Sequence, residues 1–166
     1  NNFPFIYAEF GRIFSPKLPT FIRAFLGKKI GARFKAIVPK LGITAKTIPA
    51  IEHWYEEVFL ADLNDHFAIH DFLLGSAPSI ADFGFFGPLY AHLYRDPYPG
   101  KLMKKIAPNV AKWVERMLNA AEVEGEFLPD DQIPATLLPI LTNLFAQQWP
   151  VLEDTANKLS AWYDQQ

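Results

Sequence analysis

The chain has 166 residues, of which half are hydrophobic and 15% aromatic, and it contains no cysteine. This length suits a single domain, and the apolar content excludes an intrinsically disordered chain. The absence of cysteine excludes a disulfide framework, a thiolate metal site and a cysteine nucleophile, and it fits a reducing compartment such as the cytoplasm.

The net charge of −2 is spread unevenly along the chain. Residues 1–46 carry nine Lys and Arg against one acid, Glu9, giving +8, whereas residues 47–166 carry a net −10. This asymmetry indicates an anionic partner, attraction between the two halves, or another domain covering the basic part. No recognition motif accompanies the basic residues, so we expect no nucleic-acid partner. We also expect no membrane partner, because no apolar run approaches the roughly 18 residues of a bilayer span.

The first two predicted elements are helices. A short aromatic helix is expected over residues 3–14, and a basic amphipathic helix over 19–37, where Phe21, Phe25, Ile30 and Phe34 alternate with Lys and Arg. Gly27 and Gly31 lower the helix propensity of this second segment.

Helical periodicity continues through the rest of the chain. A helix is expected over 48–70, where Phe59, Leu63 and Phe67 recur every four residues. The clearest amphipathic pattern lies at 108–121, with Val110, Trp113, Val114, Met117 and Leu118 on one face. Two further helices are expected at 135–148 and 150–163, separated at Pro150. No segment shows the alternation of a strand, so the predicted fold is all-α.

Residues 79–94 predict the central helix of the bundle. The segment carries one formal charge, Asp82, and its apolar side chains cover every side of a helix. A helix that is apolar all round is expected to be buried in a larger structure. His92, within this helix, is expected to be a core histidine.

Ser79 and Asp82 have the spacing of a reciprocal capping box at the start of this helix. The Ser79 hydroxyl can accept from the backbone N–H of Asp82, while the Asp82 carboxylate accepts from the backbone N–H of Ser79. Pro78 and Phe83 stand at the two positions of a hydrophobic staple. Gly84 and Gly87 are expected to admit close neighbouring helices, and Pro88 to kink the helix.

The stretch LLGSAPSIADFGFFGPLYAHLYRDP, followed by APNVAKWVERM, resembles the C-terminal domain of bacterial glutathione S-transferase-like proteins. The resemblance is strongest over about residues 48–120. It implies one helical domain over 1–166, a bundle around the buried central helix 79–94, and a Trp near the start of the following helix, here Trp113. It also implies that Pro78, Ser79 and Asp82 are a folding motif and have no catalytic role.

In that family, glutathione is the co-substrate and is held mainly by an N-terminal thioredoxin-like domain. That domain supplies the activating Tyr, Ser or Cys, and we expect no counterpart here because the sequence shows no βαβ–ββα pattern. The resemblance begins within or just after the family's first C-terminal-domain helix. The implied function is therefore to shape the site for an apolar electrophile, with the thioredoxin-like domain and a second subunit as partners. The alternative is a non-catalytic protein-interaction or scaffold module.

Aromatic residues of the first helix are the candidate substrate-binding residues. Tyr7, Phe10 and Phe14 could line an apolar pocket, and Arg12 lies close enough to them to attract an anionic substrate. Two simpler interpretations remain open, that the aromatic side chains are core residues and that Arg12 pairs with Glu9. No catalytic residue and no cofactor are predicted within the chain.

Asp62, His66 and His70 have a spacing that occurs at metal sites. They recur every four residues on the predicted helix 48–70, so all three share one face. A zinc site needs further converging ligands and an outer shell of partners, whereas Asp62 can simply pair with His66 across one turn. No metal site is therefore predicted.

Overall fold

The computed structural model describes residues 3–165, which are mainly helical and contain no β-strand. Two isolated bridges join Phe72 to Gly75 and Gly75 to Phe127. The principal helices are α1 Phe3–Phe14, α2 Thr20–Ile37, α3 Ile48–His53, α4 Leu60–His66, α5 Ile80–Pro88, α6 Pro97–Ile106, α7 Pro108–Met117 and α8 Leu138–Tyr163. The predicted all-α fold is confirmed. No helix among the described residues is both long and apolar enough to cross a bilayer.

Two of these helices contain a π-helical turn. Residues Trp54–Phe59 join α3 to α4, so residues 48–66 form one continuous helix. Residues Leu89–Tyr94 continue α5, so the central helix runs from 80 to 94. We refer to these two as helix 48–66 and the central helix. The first ends four residues earlier than predicted, and a short turn follows it.

The hydrophobic core lies where helix 48–66, the central helix, α6 and α7 meet. Its fully buried members include Leu60, Leu63, Leu89, Met103, Val110, Trp113 and Val114. The predicted apolar face of α7 is confirmed for Val110, Trp113, Val114 and Met117, whereas Leu118 lies beyond the helix and is half-exposed.

The central helix is buried on one side only. Asp82 and Leu89 are buried, but Ile80 is 92% exposed and Phe83 is also exposed. A Cβ added at Gly84 or Gly87 would meet no atom within 4 Å, so the close neighbours expected at these glycines are missing among the described residues. His92 is exposed and was wrongly predicted to be a core residue. The central helix therefore has more apolar side chains than the described residues bury.

Helices α1 and α2 form a hairpin that packs closely through glycines. A Cβ at Gly27 would collide with the backbone carbonyl of Tyr7, and a Cβ at Gly31 would lie 2.6 Å from the ring of Tyr7. Phe21 and Phe25, expected on the packed face of α2, are exposed instead. Helix α2 contacts α1 most closely at these two glycines, and Phe34 also packs on Phe10 of α1, whereas Phe21 and Phe25 lie outside this contact, contrary to the prediction.

Helix α8 is one helix of 26 residues, although two were predicted. Pro150 lies inside it without ending it, since a proline removes one backbone hydrogen bond and the rest of the ladder continues. Leu137 and Ile140 anchor its first turn in the core, whereas every residue from 144 to 165 is exposed.

Candidate functional site

A buried carboxylate positions the central helix. Asp82 is fully buried, and its Oδ2 accepts from the backbone N–H of Ser79 at 2.9 Å and from the Ser79 hydroxyl at 2.6 Å. The backbone N–H of Asp82 in turn donates to the Ser79 hydroxyl at 3.4 Å, which completes a capping box. Phe83, at the outer position of the expected staple, is exposed.

The second oxygen of the same carboxylate holds two other parts of the fold. Oδ1 of Asp82 accepts from the backbone N–H of Leu73 at 2.9 Å and from the indole Nε1–H of Trp113 at 3.0 Å. A buried carboxylate is tolerated when hydrogen bonds replace its hydration. Asp82 therefore joins the loop before the central helix, the helix itself and α7, and its role is structural.

An apolar pocket of about 360 Å³ lies between helix 48–66, the central helix and the start of α8. This volume lies within the range of small-molecule sites. Its apolar lining includes Trp54, Val58, Phe59, Phe85, Leu89, Leu93, Ile140 and Leu144. We call it the interhelical pocket.

Both π-helical turns contribute to this pocket. In a π-helix the hydrogen bonds run from i to i+5, so residues five apart lie on the same face. Trp54 and Phe59 accordingly stack at 5.2 Å between ring centroids, and Phe59 stacks on Phe85 of the central helix at 6.1 Å. Leu89 and Leu93 come from the second π-helical turn. The turns thus direct side chains of two helices into one cavity, and such turns often occur at functional sites.

The polar groups of the pocket are few. Asp62 lines it together with the side-chain amides of Asn143, Gln147 and Gln148. Burial raises the pKa of the Asp62 carboxyl, and the neighbouring Asp65 adds a smaller effect in the same direction. These groups can orient a ligand, while the walls supply apolar contact area.

Tyr55 also lines the pocket, but its hydroxyl is not poised for proton transfer. The hydroxyl is buried and has no hydrogen-bond partner among residues 3–165. Burial, with a smaller contribution from Glu56, raises the pKa of Tyr55 to about 12. The hydroxyl is thus protonated near neutral pH, and the pocket is suited to binding an apolar group.

The residues predicted to bind substrate lie on α1, away from the interhelical pocket. Tyr7 packs against Gly31, and Phe10 stacks on Phe34 of α2 at 5.2 Å and on Phe14 at 6.2 Å. None of the predicted substrate-binding residues Tyr7, Phe10, Arg12 and Phe14 is part of the interhelical pocket. The structure brings the aromatic members together as packing contacts of the α1–α2 hairpin.

Arg12 is paired with Glu9, one turn earlier on the same helix. The guanidinium donates to the Glu9 carboxylate at 2.8 Å and 3.2 Å; the Arg12 side chain is exposed, whereas that of Glu9 is partly buried. Arg95 of the bundle reaches the same carboxylate at 3.4 Å. Glu9 therefore links the hairpin to the end of the central helix.

His66 is a buried core residue, and both of its ring nitrogens form hydrogen bonds. Its Nε2 lies 3.2 Å from the carbonyl oxygen of Phe72, which can only accept, so Nε2 carries the proton. Its Nδ1 then accepts from the Thr136 hydroxyl at 2.7 Å. His70 stacks on the same ring at 5.0 Å, and Asp62 faces the pocket instead. No group of His, Asp or Glu among the described residues is arranged to hold a metal ion.

Sequence reasoning missed the interhelical pocket. The sequence shows Trp54, Tyr55 and Phe59 as ordinary members of an apolar helix face, and the rotation caused by the π-helical turn has no counterpart in the periodicity. Leu144 was predicted only as part of a terminal helix. Helix 48–66 and the central helix contain more aromatic residues than one core needs. This excess is the sequence signal that could have indicated a pocket.

Comparison with known proteins adds one finding. Residues 40–121 match the family model described as glutathione S-transferase, C-terminal domain. The matched range includes helix 48–66, the central helix and α7, and therefore two walls of the interhelical pocket and the Asp82 network. The searches of curated proteins and of solved structures gave no match.

Proposed function

Residues 40–121 belong to the glutathione S-transferase C-terminal domain family, and on that premise we propose that the chain forms the apolar electrophile site of a glutathione-conjugating protein. The interhelical pocket supports this proposal most directly. Its volume of about 360 Å³ suits a small molecule, and its aromatic walls favour a planar apolar group. We include α1, α2 and α8 in the same domain.

We assign glutathione itself to a thioredoxin-like domain of the same protein. In the proposed reaction the glutathione thiolate attacks an electrophilic carbon, a carbon–sulfur bond forms, and the leaving group departs with its electron pair. The thiol proton is released to solvent, and the activating residue of the other domain stabilises the thiolate by donating a hydrogen bond to it. The pocket orients the electrophile and excludes water, and Tyr55 is no thiol activator because its pKa is about 12.

Two matched glycine variants test the pocket. Gly84 lines it and Gly87 does not, and a Cβ at either position meets no atom within 4 Å. The measurement is fluorescence titration with N-phenyl-1-naphthylamine, a neutral apolar probe. We expect Gly84→Leu to weaken binding about tenfold, near 1.4 kcal/mol, and Gly87→Leu to leave it unchanged. Equal affinities in both variants would remove the pocket from the proposal.

Glutathione binding tests the division of labour between the domains. This chain by itself is expected to bind glutathione more weakly than about 1 mM, near −4 kcal/mol. Calorimetric titration of the chain, and of the full-length protein in parallel, decides the point. Tight binding to the chain alone would contradict the assignment of glutathione to the other domain.

Helix α1 remains a proposed anion-facing surface of the site. The α1–α2 region carries most of the +8 of residues 1–46, and a positive field attracts anionic substrates such as glutathione. In the full-length protein, Arg12→Gln is expected to raise the KM for glutathione, with an effect that shrinks as salt is added. Arg33→Gln, an exposed residue of α2, removes the same charge as a control. Unchanged kinetics at low salt would leave Arg12 as the partner of Glu9 only.

A protein-interaction module is the second candidate function. The observation that favours it is the exposure of α8 from residue 144 onward. The two candidates differ in what precedes this chain in the whole protein. A thioredoxin-like domain with a cis-proline and an activating Ser, Cys or Tyr indicates an enzyme, whereas an unrelated domain indicates a scaffold.

A further inference from the structure

Helix α8 leaves the bundle after its first turns. Residues 144–163 are exposed and helical, which corresponds to a rod of about 30 Å at 1.5 Å per residue. A helix gains most of its stability in a protein from packing an apolar face, and this length has no such packing within the described residues. The exposed apolar side chains of this segment therefore indicate that it packs against a partner.

The exposed part of α8 carries a seam that is mainly apolar and is interrupted by Gln148 and Thr155. Residues spaced alternately by four and three fall on one line, as in a helix that packs against another helix. We call this line the α8 seam, and it consists of Phe145, Gln148, Leu152, Thr155, Leu159 and Trp162, continuing the line of Leu141, which is partly buried against the core. Further apolar residues flank it, namely Leu144, Trp149, Val151 and Tyr163.

The area of this face matches that of a stable interface. Eight large apolar side chains between residues 144 and 163 are 46 to 74% exposed. With on the order of 100 Å² each, they offer on the order of 800 Å², the area per partner of a standard protein–protein interface. A patch of this size on a monomer marks an interaction site.

The charged residues of α8 disfavour a lipid surface as the partner of its apolar face and favour another helix. The charged residues of α8 are Glu153, Asp154 and Lys158, and Lys158 pairs with Asp154 at 2.7 Å. A helix that lies in a membrane surface carries Lys and Arg along its polar face, which α8 does not. A net charge of −1 over Leu138–Tyr163 opposes self-association only weakly.

We propose that α8 pairs in antiparallel orientation with α8 of a second copy of this chain. The seam is self-complementary in this orientation, as a two-fold interface requires. Phe145 then faces the partner's Trp162, Gln148 faces the partner's Leu159, and Leu152 faces the partner's Thr155. Trp149 faces the partner's Lys158, which permits a cation–π contact. All of these pairs follow from one register.

The anchoring of α8 favours the antiparallel orientation over the parallel one. Leu137 and Ile140 fix the start of the helix in the core, so the bundle lies at its N-terminal end. A parallel pair would bring both bundles to the same end, where they would compete for space. An antiparallel pair places them at opposite ends and also opposes the two helix dipoles favourably.

The pairing also adds to the interhelical pocket. Leu144 lines that pocket, and in the antiparallel register it faces the partner's Tyr163. The partner's Trp162 lies one residue away, beside Phe145. The second copy thus supplies aromatic side chains at the α8 edge of the pocket.

Sedimentation equilibrium of the full 166-residue chain tests the pairing. We expect twice the monomer mass of 18.9 kDa at tens of micromolar, and at least a tenfold rise in the dimer dissociation constant for Leu152→Glu and Leu159→Glu. Ser160→Glu and Asn157→Glu, on the polar side of the same helix, are the controls and should remain dimeric. All four positions are exposed, so the core is untouched, and circular dichroism verifies folding. A monomeric parent chain, or a dimer that survives both seam variants, would overturn the proposal.

Cross-linking tests the orientation separately, because the chain has no cysteine of its own. An equimolar mixture of Gln148→Cys and Leu159→Cys chains should form predominantly the mixed disulfide under mild oxidation. Leu152→Cys alone should cross-link poorly, since Leu152 faces the partner's Thr155. Efficient self-linking at 152 with no mixed 148–159 product would indicate a parallel pair and refute the antiparallel register.

Discussion

The indole of Trp113 donates its only polar hydrogen to Oδ1 of Asp82, over 3.0 Å. Both side chains are fully buried. Trp113 also stacks on Phe67 at 4.9 Å, so the same ring fills the core and satisfies the carboxylate. The capping box that begins the central helix is therefore tied to α7 by a single hydrogen bond.

Removing the Asp82 carboxylate should destabilise the domain strongly. Asp82→Ala leaves the donors of Leu73, Ser79 and Trp113 buried without an acceptor, and we expect a loss of about 3–5 kcal/mol. Urea melts of Asp82→Ala, Ser79→Ala and the double mutant measure the coupling between the two residues. The capping box predicts that the double mutant loses less than the sum of the single losses. Strict additivity would show that the two side chains act independently.

Acid should weaken the fold through His66. Burial lowers the pKa of His66, an effect that the hydrogen bond with Phe72 only partly offsets. The unfolded chain then takes up a proton near pH 6.5 while the folded chain does not, so the free energy of unfolding decreases as the pH falls below 6.5. Urea melts at pH 7.5, 6.0 and 5.0 should show this slope.

The matched variants for this effect are His66→Gln and His92→Gln. The first removes the buried imidazole and should flatten the dependence between pH 7.5 and 5.0, whatever its effect on stability at pH 7.5. His92 is exposed, and its variant should keep the slope of the parent. If His66→Gln retained the full slope, the acid sensitivity would come from other groups.

Replacing Tyr55 by Phe should not cost stability. The Tyr55 hydroxyl is buried without a hydrogen-bond partner among residues 3–165, and such a group is unfavourable by about 1–3 kcal/mol. We expect Tyr55→Phe to be neutral or to stabilise by up to about 1 kcal/mol. Tyr94→Phe is the contrast, because the Tyr94 hydroxyl donates to Glu115 at 2.7 Å, and it should lose stability.

The raised pKa of Tyr55 predicts that the free energy of unfolding depends on pH in the alkaline range. Because its pKa is about 12, the folded chain resists ionisation between about pH 10 and 12 while the unfolded chain ionises. Stability from this group is present below pH 10 and is lost as the pH rises towards 12. Alkaline melts followed by tyrosine absorbance should show a shallower loss in Tyr55→Phe than in the parent.

The α1–α2 hairpin should be sensitive to a single methyl group. Gly27→Ala places a Cβ against the backbone carbonyl of Tyr7, so the two helices must separate. Gly84→Ala places a Cβ in open space and should stabilise by up to about 1 kcal/mol through helix propensity. Limited proteolysis within residues 3–37 should accelerate in the first variant only. An unchanged cleavage pattern in Gly27→Ala would show that the hairpin tolerates a wider separation.

Much of the fold follows from residue periodicity. The bounds 3–14 and 79–94 were predicted closely, because proline, glycine and the Ser79–Asp82 spacing mark helix ends chemically. The buried face of α7 was predicted from its apolar period. Val110, Trp113 and Val114 on that face are buried, and α7 packs against α4. Where an element packs on a continuous core, its apolar period is visible in the sequence.

The remaining features depend on tertiary packing. The continuity of α8 through Pro150 was unpredictable, because a proline is compatible both with a break and with one missing hydrogen bond. The Gly27 contact was also missed. The sequence shows that glycine lowers helix propensity, but it does not show that a neighbouring helix needs the space at this position. The pocket joins Trp54, Phe85 and Leu144 from three separate helices, and no local pattern encodes that meeting.

The π-helical turn at Trp54–Phe59 contains one residue more than an α-helical turn of the same rise would hold. One extra residue rotates everything before it by about 100° relative to everything after it. The core side chains Leu60 and Leu63 follow the turn, while Trp54 and Tyr55 lie within it. A single-residue deletion there would restore α-helical register and turn Trp54 and Tyr55 away from the cavity while leaving the core face at Leu60 and Leu63 in place. The lining of the interhelical pocket can thus change by a change of length at one position, independently of the residues that hold the fold.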